Sequence, residues 1–244
     1  MPSDDLLFAL ELADIADAIS VPRFGAGDLQ VAMKSDRSPV TDADHAVERA
    51  VRERIAGERP GDGVLGEEQA TVEGSTRWVV DPIDGTRNFA RGIPVWATLI
   101  ALERDGGVVC GVVSAPAMSR RWWAERGAGA YRDGHPIRVS EVSDLAEAAV
   151  SCAHGADMAA LEPVVWHARG FGDFWAHMLV AEGALDATVD AGLSYWDYAA
   201  LLPIVEGAGG RITGRDGGPP LPGRQIISSN GRLLERLTGR LAAG

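Results

Sequence analysis

Cysteine is scarce in this chain, whose 244 residues contain only Cys110 and Cys152. Both cysteines lie in apolar surroundings, and they do not form a CxxC pair. This usage is typical of buried, reduced thiols and indicates a cytoplasmic protein rather than a disulfide-stabilised secreted one.

Long apolar runs and basic residues are also lacking. No apolar run approaches the roughly 20 residues that a membrane-spanning helix needs, and the acidic residues 1–5 are unlike a signal or transit peptide. Lysine and arginine number 23 against 35 aspartates and glutamates, so the formal net charge is −12. This charge argues against nucleic acid or an anionic membrane as a partner. A phosphate ligand would need local positive charge, which a bound divalent metal supplies.

The remaining patterns predict a mixture of helices and strands. Ser3 can cap a helix over 3–18, and Thr41 can cap a second helix that ends near residue 56. Further helices are predicted over 174–182, 197–207 and 231–241, and segment 21–40 reads as an exposed loop or short hairpin. Strands are predicted over 64–65, 77–80, 95–102, 108–114, 121–124, 130–132, 187–189, 211–213 and 225–229.

The order of these elements indicates the fold class. Strands and helices alternate irregularly and include hairpins, which favours a layered, mixed α/β (α+β) architecture over a doubly wound parallel sheet. A soft boundary near Ser140 divides the chain into an N-terminal half, 1–139, and a C-terminal half, 140–244. Segment 140–160 is compatible with either strand or helix.

The most informative segment covers residues 78–89. An apolar strand delivers Asp81 and Asp84 into a turn that is broken by Pro82 and Gly85. Neighbouring carboxylates repel each other, and holding them together usually requires a cation. Gly85 and Thr86 then offer backbone N–H groups suited to an anion such as phosphate. Metal and phosphate in one turn suggest phosphoryl chemistry.

Acidic residues elsewhere in the chain extend this pattern. The candidates are Asp44, Glu67, Glu68, Asp81, Asp84, Asp190 and Asp197. Taken singly, each is more often a solvated or helix-capping carboxylate. Because the set is rich in oxygen and contains no clustered His or Cys, it favours Mg²⁺, with Mn²⁺ as a substitute. The scattered His135, His154, His167 and His177 are predicted to be surface or packing residues.

Three motifs resemble those of the inositol monophosphatase family. They are Gly-Glu-Glu at 66–68, Asp-Pro-Ile-Asp-Gly-Thr-x-Asn-Phe at 81–89, and Trp-Asp-x-Ala-Ala at 196–200, preceded by Thr-x-x-Asp at 41–44. Their order and spacing agree with the family over nearly the whole chain. The resemblance implies a layered α-β-α-β-α fold, a Mg²⁺-dependent phosphomonoesterase that binds two to three ions, and a homodimer.

The resemblance also implies roles for individual residues. Glu67, Asp81 and the carbonyl group of Ile83 hold one Mg²⁺, and Asp81, Asp84 and Asp197 hold a second. Glu68 supports the waters of the metal site, where some members bind a third, weaker ion.

The same resemblance assigns the groups around the phosphate. Asp44 hydrogen-bonds Thr86, and this pair helps to deprotonate the attacking water. The N–H groups of Gly85 and Thr86 cradle the phosphate. By resemblance only, Lys34 approaches the metal site.

Two further acids suggest which phosphomonoester is cleaved. Asp190 lies where inositol-type members place an acid that touches the substrate, and Asp173 lies where those members tend to carry a small residue. An added carboxylate suits a cationic substrate. The segment 169–174 resembles the histidinol-phosphate phosphatases of this family, and the ammonium and imidazole of L-histidinol phosphate could meet Asp173 and Asp190. Asp173 could also serve as a helix N-cap.

Three alternatives stay open. The substrate could be an inositol, sugar or nucleotide phosphate. The Asp-x-Asp pattern at 42–44 could mark a phospho-aspartate enzyme, although no apolar strand leads into it and no Thr or Val stands two residues beyond. The protein could be a non-catalytic metal- or phosphate-binding regulator, although the hydrolytic residue set is complete. No P-loop is present, which argues against the use of ATP.

Overall fold

The computed structural model describes residues 2–153 and 155–242. Helix α1 spans Asp4–Arg23, and Ser3 caps it by accepting a hydrogen bond from the Leu6 N–H at 3.2 Å. The predicted helix is therefore correct in type but one turn too short. A small hairpin of β1 (Val31–Met33) and β2 (Pro39–Thr41) follows and leads into α2 (Asp42–Glu58).

The first half of the described chain builds a seven-stranded sheet. Its strands are β3 (Gly63–Gly66), β4 (Thr76–Asp84), β5 (Ala97–Arg104), β6 (Gly107–Ala115), β7 (Arg120–Glu125), β8 (Gly129–Arg132) and β9 (His135–Ile137), and they lie in sequence order. Strands β3 and β4 are parallel, and every later neighbour is antiparallel. A short helix, α3 (Thr86–Ala90), lies between β4 and β5.

The second half builds a mixed five-stranded sheet from the described residues. Its elements in chain order are β10 (Ala149–Cys152), α4 (Gly155–Leu161), β11 (His167–Arg169), α5 (Asp173–Ala181), β12 (Ala187–Ala191), α6 (Tyr195–Ala199), α7 (Leu201–Gly207), β13 (Arg211–Gly214), β14 (Gln225–Ser229) and α8 (Leu234–Ala242). The strand order is β11-β10-β12-β14-β13. Segment 140–160, which was ambiguous from its sequence, contributes both a strand and a helix.

Side-chain alternation along the central strands explains the layers. Trp78 and Val80 pack beneath α1 and α2, whereas Val79 points to the other face and joins the core around α7. Helices α5, α6 and α7 fill the space between the sheets, and α4 and α8 cover the outer face of the smaller sheet. The layered α-β-α-β-α prediction is confirmed. The proposed boundary at 139/140 falls between the sheets, and the central core contains residues from both sides of it.

One predicted helix is wrong in detail. The single helix expected over 197–207 is two helices, α6 and α7, which meet at Ala200. Pro203 is the third residue of α7, where a missing backbone N–H breaks no intrahelical hydrogen bond. Ala200 itself keeps a helical backbone, and α6 brings Asp197 to the end of β4.

Two smaller observations complete the fold. Cys110 and Cys152 are buried free thiols, as expected, and burial raises the pKa of each to about 12. Within residues 2–153 and 155–242, no helix combines the length and apolar character that a membrane crossing requires.

Alanine substitutions in α1 test whether this helix packs on the seven-stranded sheet. Leu12 is fully buried against the seven-stranded sheet, so we expect Leu12→Ala to lower the free energy of unfolding by about 2–5 kcal/mol. Leu7, on the same helix but 51% exposed, provides the control, and we expect Leu7→Ala to change stability by less than about 0.5 kcal/mol. Urea unfolding followed by circular dichroism measures both, and equal losses would show that α1 does not pack as described.

Candidate active site

A bulge at the end of β4 brings two carboxylates to one face. In the pairing of β4 with β5, Asp81 lies opposite Leu99 and Asp84 lies opposite Ala97, so β4 carries one extra residue. Residues three apart on a regular strand point to opposite faces. The extra residue cancels this alternation and allows Asp81 and Asp84 to converge.

The third carboxylate of the cluster comes from α6. Oxygens of Asp81, Asp84 and Asp197 lie within 4.8 Å of one another. Backbone N–H groups fix each carboxylate: Ile83 donates to Asp81 at 3.0 Å, Phe174 donates to Asp84 at 2.6 Å, and Ser194 donates to Asp197 at 2.6 Å. The cluster therefore joins the end of β4 to the first turns of α5 and α6.

The cluster is electrostatically strained. Burial and the neighbouring negative charges raise the pKa of Asp81 and of Asp84 well above the usual range, although Asp84 keeps a partly exposed edge. Burial, together with the charge of Glu67, raises the pKa of Asp197 to about 7. Three converging carboxylate oxygens are a donor set that fits a hard divalent cation, so the residues present are suited to the predicted metal.

Glu67 and Glu68 follow β3 and face Lys34 from the β1–β2 hairpin. Nζ of Lys34 lies 2.6 Å from Oε1 of Glu67 and 2.5 Å from Oε1 of Glu68. Burial lowers the pKa of Lys34, but the hydrogen bonds to both glutamates outweigh it and the net shift is upward. Burial raises the pKa of Glu68. The resemblance had placed Lys34 near this site, and the structure gives it two carboxylate partners.

Asp44 and Thr86 connect α2 to the site. Asp44 is fully buried at the start of α2, where its Oδ2 accepts from the N–H of Thr41 at 2.8 Å and from the Thr41 hydroxyl at 2.5 Å. Thr86 Oγ1 lies 2.9 Å from the carbonyl oxygen of Ile83 and 3.3 Å from Asp44 Oδ1, and its single proton serves one acceptor at a time. Burial raises the pKa of Asp44 to about 6.

Gly85 lies where no other residue fits. Its φ is +82°, and a Cβ there would lie 2.9 Å from the carbonyl oxygen of Val95. An open cleft of about 250 Å³ runs past it. The lining residues are Ser38, Pro39, Glu67, Gly85, Thr86, Arg87, Asn88 and Asp173.

Asp173 enters this cleft from the start of α5. Its φ is +49°, which is an uncommon and strained conformation for a residue with a side chain. Gly172 is the residue that precedes the helix, so the interpretation of Asp173 as an N-cap is wrong. The carboxylate instead accepts a hydrogen bond from Asn88 Nδ2 at 3.1 Å, and burial raises its pKa although the charge of Arg87 opposes this.

Asp190 lies deeper, on β12, and only 6% of it is exposed. Its charge contributes to the raised pKa of Asp84 and of Asp197, and its Oδ2 is 3.9 Å from Nε2 of His177. Burial lowers the pKa of His177 to about 4, and its Nδ1 contacts the Ser228 hydroxyl at 2.6 Å. His177 is thus a packed core residue, and His135 and His167 are exposed, whereas His154 lies outside the described residues.

Sequence reasoning missed two residues that contact the site. Asn88 was part of a recognised motif but received no role, and Glu48 was not singled out. Glu48 follows Asp44 by one helical turn, so its place on the buried face of α2 was the available signal.

Comparisons with known proteins agree with this geometry. A family model described as "Inositol monophosphatase family" matches residues 3–243. Histidinol-phosphatases from Mycobacterium tuberculosis and Streptomyces coelicolor are 48% and 46% identical to the chain, the first covering 100% of both chains and the second 98% of this chain and 97% of its own. An inositol-1-monophosphatase from Mesorhizobium japonicum is 35% identical over 86% of this chain and 84% of its own.

A solved structure supports the same assignment. The extragenic suppressor protein SuhB from Bartonella henselae superposes with a TM-score of 0.93 at 30% identity, covering 99% of this chain and 100% of that one. The carboxylate cluster lies beside a glycine turn in an α-β-α-β-α fold that this chain shares with the Bartonella protein. The chain belongs to the inositol monophosphatase family.

Because the carboxylates of the cluster repel one another, we expect Asp81→Asn to stabilise the fold when no cation is bound. The pKa of Asp81 is raised in the folded state, so this group lowers the stability progressively as the pH rises from about 4 to its folded pKa, and the loss is complete above that pKa. Below about pH 4 it has no effect, because aspartate is protonated in the unfolded chain as well. With a chelator at pH 8, we expect Asp81→Asn to raise the melting temperature by at least about 2–4 °C, equivalent to roughly 1 kcal/mol. At pH 4 this difference should disappear.

Saturating Mg²⁺ should reverse the order, because the native cluster gains a cation that the variant binds poorly. Asp105→Asn, which alters an exposed acid in a hairpin turn, serves as the control, and its melting temperature should match that of the native protein both in chelator and in Mg²⁺. Differential scanning calorimetry measures all three proteins. A native melting temperature that is indifferent to Mg²⁺ would contradict the metal site.

Proposed function

We propose that the protein is a Mg²⁺-dependent phosphomonoesterase that hydrolyses L-histidinol phosphate to histidinol and phosphate. The observation that carries the proposal is the placement of Asp173 in the same cleft as Gly85 and Thr86, next to the cluster of Asp81, Asp84 and Asp197. An anion-binding turn, a cation-binding cluster and an additional carboxylate thus meet at one place. This combination suits a phosphate ester whose alcohol carries positive charge.

Family resemblance assigns the residues present to two adjacent cation positions, and the cluster of Asp81, Asp84 and Asp197 supports one of them. Glu67, Asp81 and the carbonyl group of Ile83 would hold one ion, and Asp81, Asp84 and Asp197 would hold the other, with Glu68 supporting bound water. A bound divalent cation supplies Lewis-acid stabilisation of phosphoryl oxygens and acidifies water. The raised pKa values of the cluster support this assignment, because a bound cation would offset the burial and mutual repulsion that disfavour the charged carboxylates.

The chain's own residues position the reacting groups. The N–H groups of Gly85 and Thr86 hold the phosphate, and Thr86 with Asp44 takes the proton of the attacking water. A pKa of about 6 suits Asp44 to accept a proton near neutral pH. The water oxygen bonds to phosphorus and the bond from phosphorus to the histidinol oxygen breaks. That oxygen takes a proton from solvent and leaves as the alcohol, and Asp44 returns the proton it accepted to solvent.

Substrate choice is assigned to Asp173 and Asp190. Asp173 Oδ2 lies 3.5 Å from the position of a Cβ on Gly85, so a phosphate held at Gly85 brings its alcohol close to this carboxylate. Asp190 supplies a second negative charge on the inner side of the cluster. Relatives named histidinol-phosphatase are 48%, 46% and 37% identical to the chain, compared with 35–36% for relatives named inositol-1-monophosphatase. The charges of Asp173 and Asp190 and the identities of the relatives both favour L-histidinol phosphate, whose alcohol carries an ammonium and an imidazole.

An inositol or other polyol phosphate is the second candidate, because a relative named inositol-1-monophosphatase is 35% identical over 86% of this chain. A phospho-aspartate mechanism fits less well, since Asp42 is engaged by Arg23 at 2.8 Å and Asp44 by Thr41. A purely regulatory protein also fits less well, because the hydrolytic residues lie together. A count of two to three ions per subunit and a homodimer are part of the proposal and are supported by family resemblance alone. Mg²⁺, replaceable by Mn²⁺, is supported by the carboxylate donor set, and a cytoplasmic location by the two free, buried cysteines.

A phosphate-release assay tests the proposed substrate. With Mg²⁺, we expect kcat/KM for L-histidinol phosphate to exceed that for inositol 1-phosphate by at least about tenfold, since a charge-assisted hydrogen bond contributes about 1.5–3 kcal/mol. A chelator should abolish both activities. A preference for inositol 1-phosphate would favour the second candidate.

Asp173→Asn separates substrate recognition from chemistry. Asparagine tolerates a positive φ and can still accept the hydrogen bond from Asn88, so the fold should be retained. We expect kcat/KM for L-histidinol phosphate to fall by about 10–100-fold, with little change for p-nitrophenyl phosphate. Asp105→Asn is the control and should change neither value. Equal losses on the two esters would remove Asp173 from substrate recognition.

A further inference from the structure

Glu48 is a fully buried carboxylate that binds the chain carrying Glu67 and Glu68. It lies on α2, and its side chain is 0% exposed. Its Oε2 accepts a hydrogen bond from the N–H of Glu68 at 2.7 Å, and its Oε1 accepts one from the N–H of Gln69 at 3.1 Å. Two successive backbone donors of the turn after β3 therefore point at one carboxylate.

Gly66 allows this close approach. A Cβ at Gly66 would lie only 2.2 Å from Oε1 of Glu48 and 2.4 Å from its carboxyl carbon. The backbone of β3 thus passes directly over the carboxylate, and any side chain at this position would push the turn away from α2.

Arg52 completes the contact from the next turn of α2. Its Nε donates to Oε1 of Glu48 at 2.8 Å, so it balances the buried charge. Its two terminal nitrogens donate to the carbonyl oxygens of Gln69 at 3.2 Å and Ala70 at 3.1 Å. We call Glu48 and Arg52 together the α2 clamp. It binds both N–H and C=O groups of residues 68–70.

The two glutamates that the clamped turn carries repel each other. The negative charge of Glu67 disfavours the charged form of Glu68. Lys34 forms an ion pair with both glutamates, but it belongs to a separate hairpin. Side chains on a mobile turn would move apart under this repulsion. A turn whose backbone is fixed by α2 keeps Glu67 close enough to act on the charge of Asp81, and keeps both glutamates near Asp44.

We infer that Glu48 is a positioning residue whose hydrogen bonds hold Glu67 and Glu68 in place for divalent-cation binding. The inference rests on the proposed function only in taking Glu67 as a metal ligand and Glu68 as a support for metal-bound water. Glu48 itself contacts neither substrate nor cation. Its loss therefore weakens cation binding through the geometry of the turn, in the way that residues behind metal ligands act in other proteins.

Titration with Mn²⁺ alone tests the inference, with free Mn²⁺ measured by electron paramagnetic resonance. In Glu48→Gln one acceptor oxygen becomes a donor that faces a backbone N–H, and we expect the Mn²⁺ dissociation constant to rise by about 10–100-fold. Arg52→Ala keeps the two backbone contacts of Glu48 and should raise the constant by a smaller factor. Glu53→Gln, at an exposed position of the same helix, is the matched control and should leave it unchanged.

Thermal unfolding in chelator accompanies each titration, and binding is measured only where the variant is fully folded. Lower melting temperatures with an unchanged Mn²⁺ constant in both clamp variants would show a purely structural role and overturn the inference. If Glu48→Gln does not fold, the Mn²⁺ dissociation constant of Arg52→Ala decides the question. A raised constant supports the inference, and an unchanged constant overturns it. Because the readout needs no phosphate ester, it is independent of whether histidinol phosphate is the substrate.

Discussion

Mutual repulsion among carboxylates is the constraint around which this site is built. Asp81, Asp84 and Asp197 bring oxygens within 4.8 Å of one another, and burial raises the pKa of each. An arrangement of this kind stays ordered only if each carboxylate is fixed from behind. Backbone N–H groups of Ile83, Phe174 and Ser194 do this for the three aspartates, and the α2 clamp does it for the turn of Glu67 and Glu68.

The fold supplies these fixed points from separate layers. Strand β4 brings two ligand candidates, and the β-bulge turns them to one face. The first turns of α5 and α6 bring backbone donors and Asp197, whereas α2 brings Asp44 and the clamp. A site assembled from both sheets and the helices between them explains why the motifs are spread from residue 41 to residue 200.

Local chemistry made much of this predictable from the sequence. Ser3 and Thr41 are recognisable helix caps, and the acidic motifs identify the candidate ligands before any contact is known. Long-range geometry was not predictable in the same way. The bulge between Asp81 and Asp84 depends on pairing with β5, and the break at Ala200 depends on packing between the sheets. Glu48 resembles any acid on a helix until Gly66 is seen to lie over it.

The shared central core has a consequence for how the chain is made. Val79, Leu99 and Val113 on the seven-stranded sheet are covered by α5 and α7, which are synthesised after it. A nascent chain that has emerged only as far as residue 139 therefore presents a wide, uncovered apolar sheet face. Until residues 173–207 leave the ribosome, this apolar face stays uncovered and makes the nascent chain prone to aggregation.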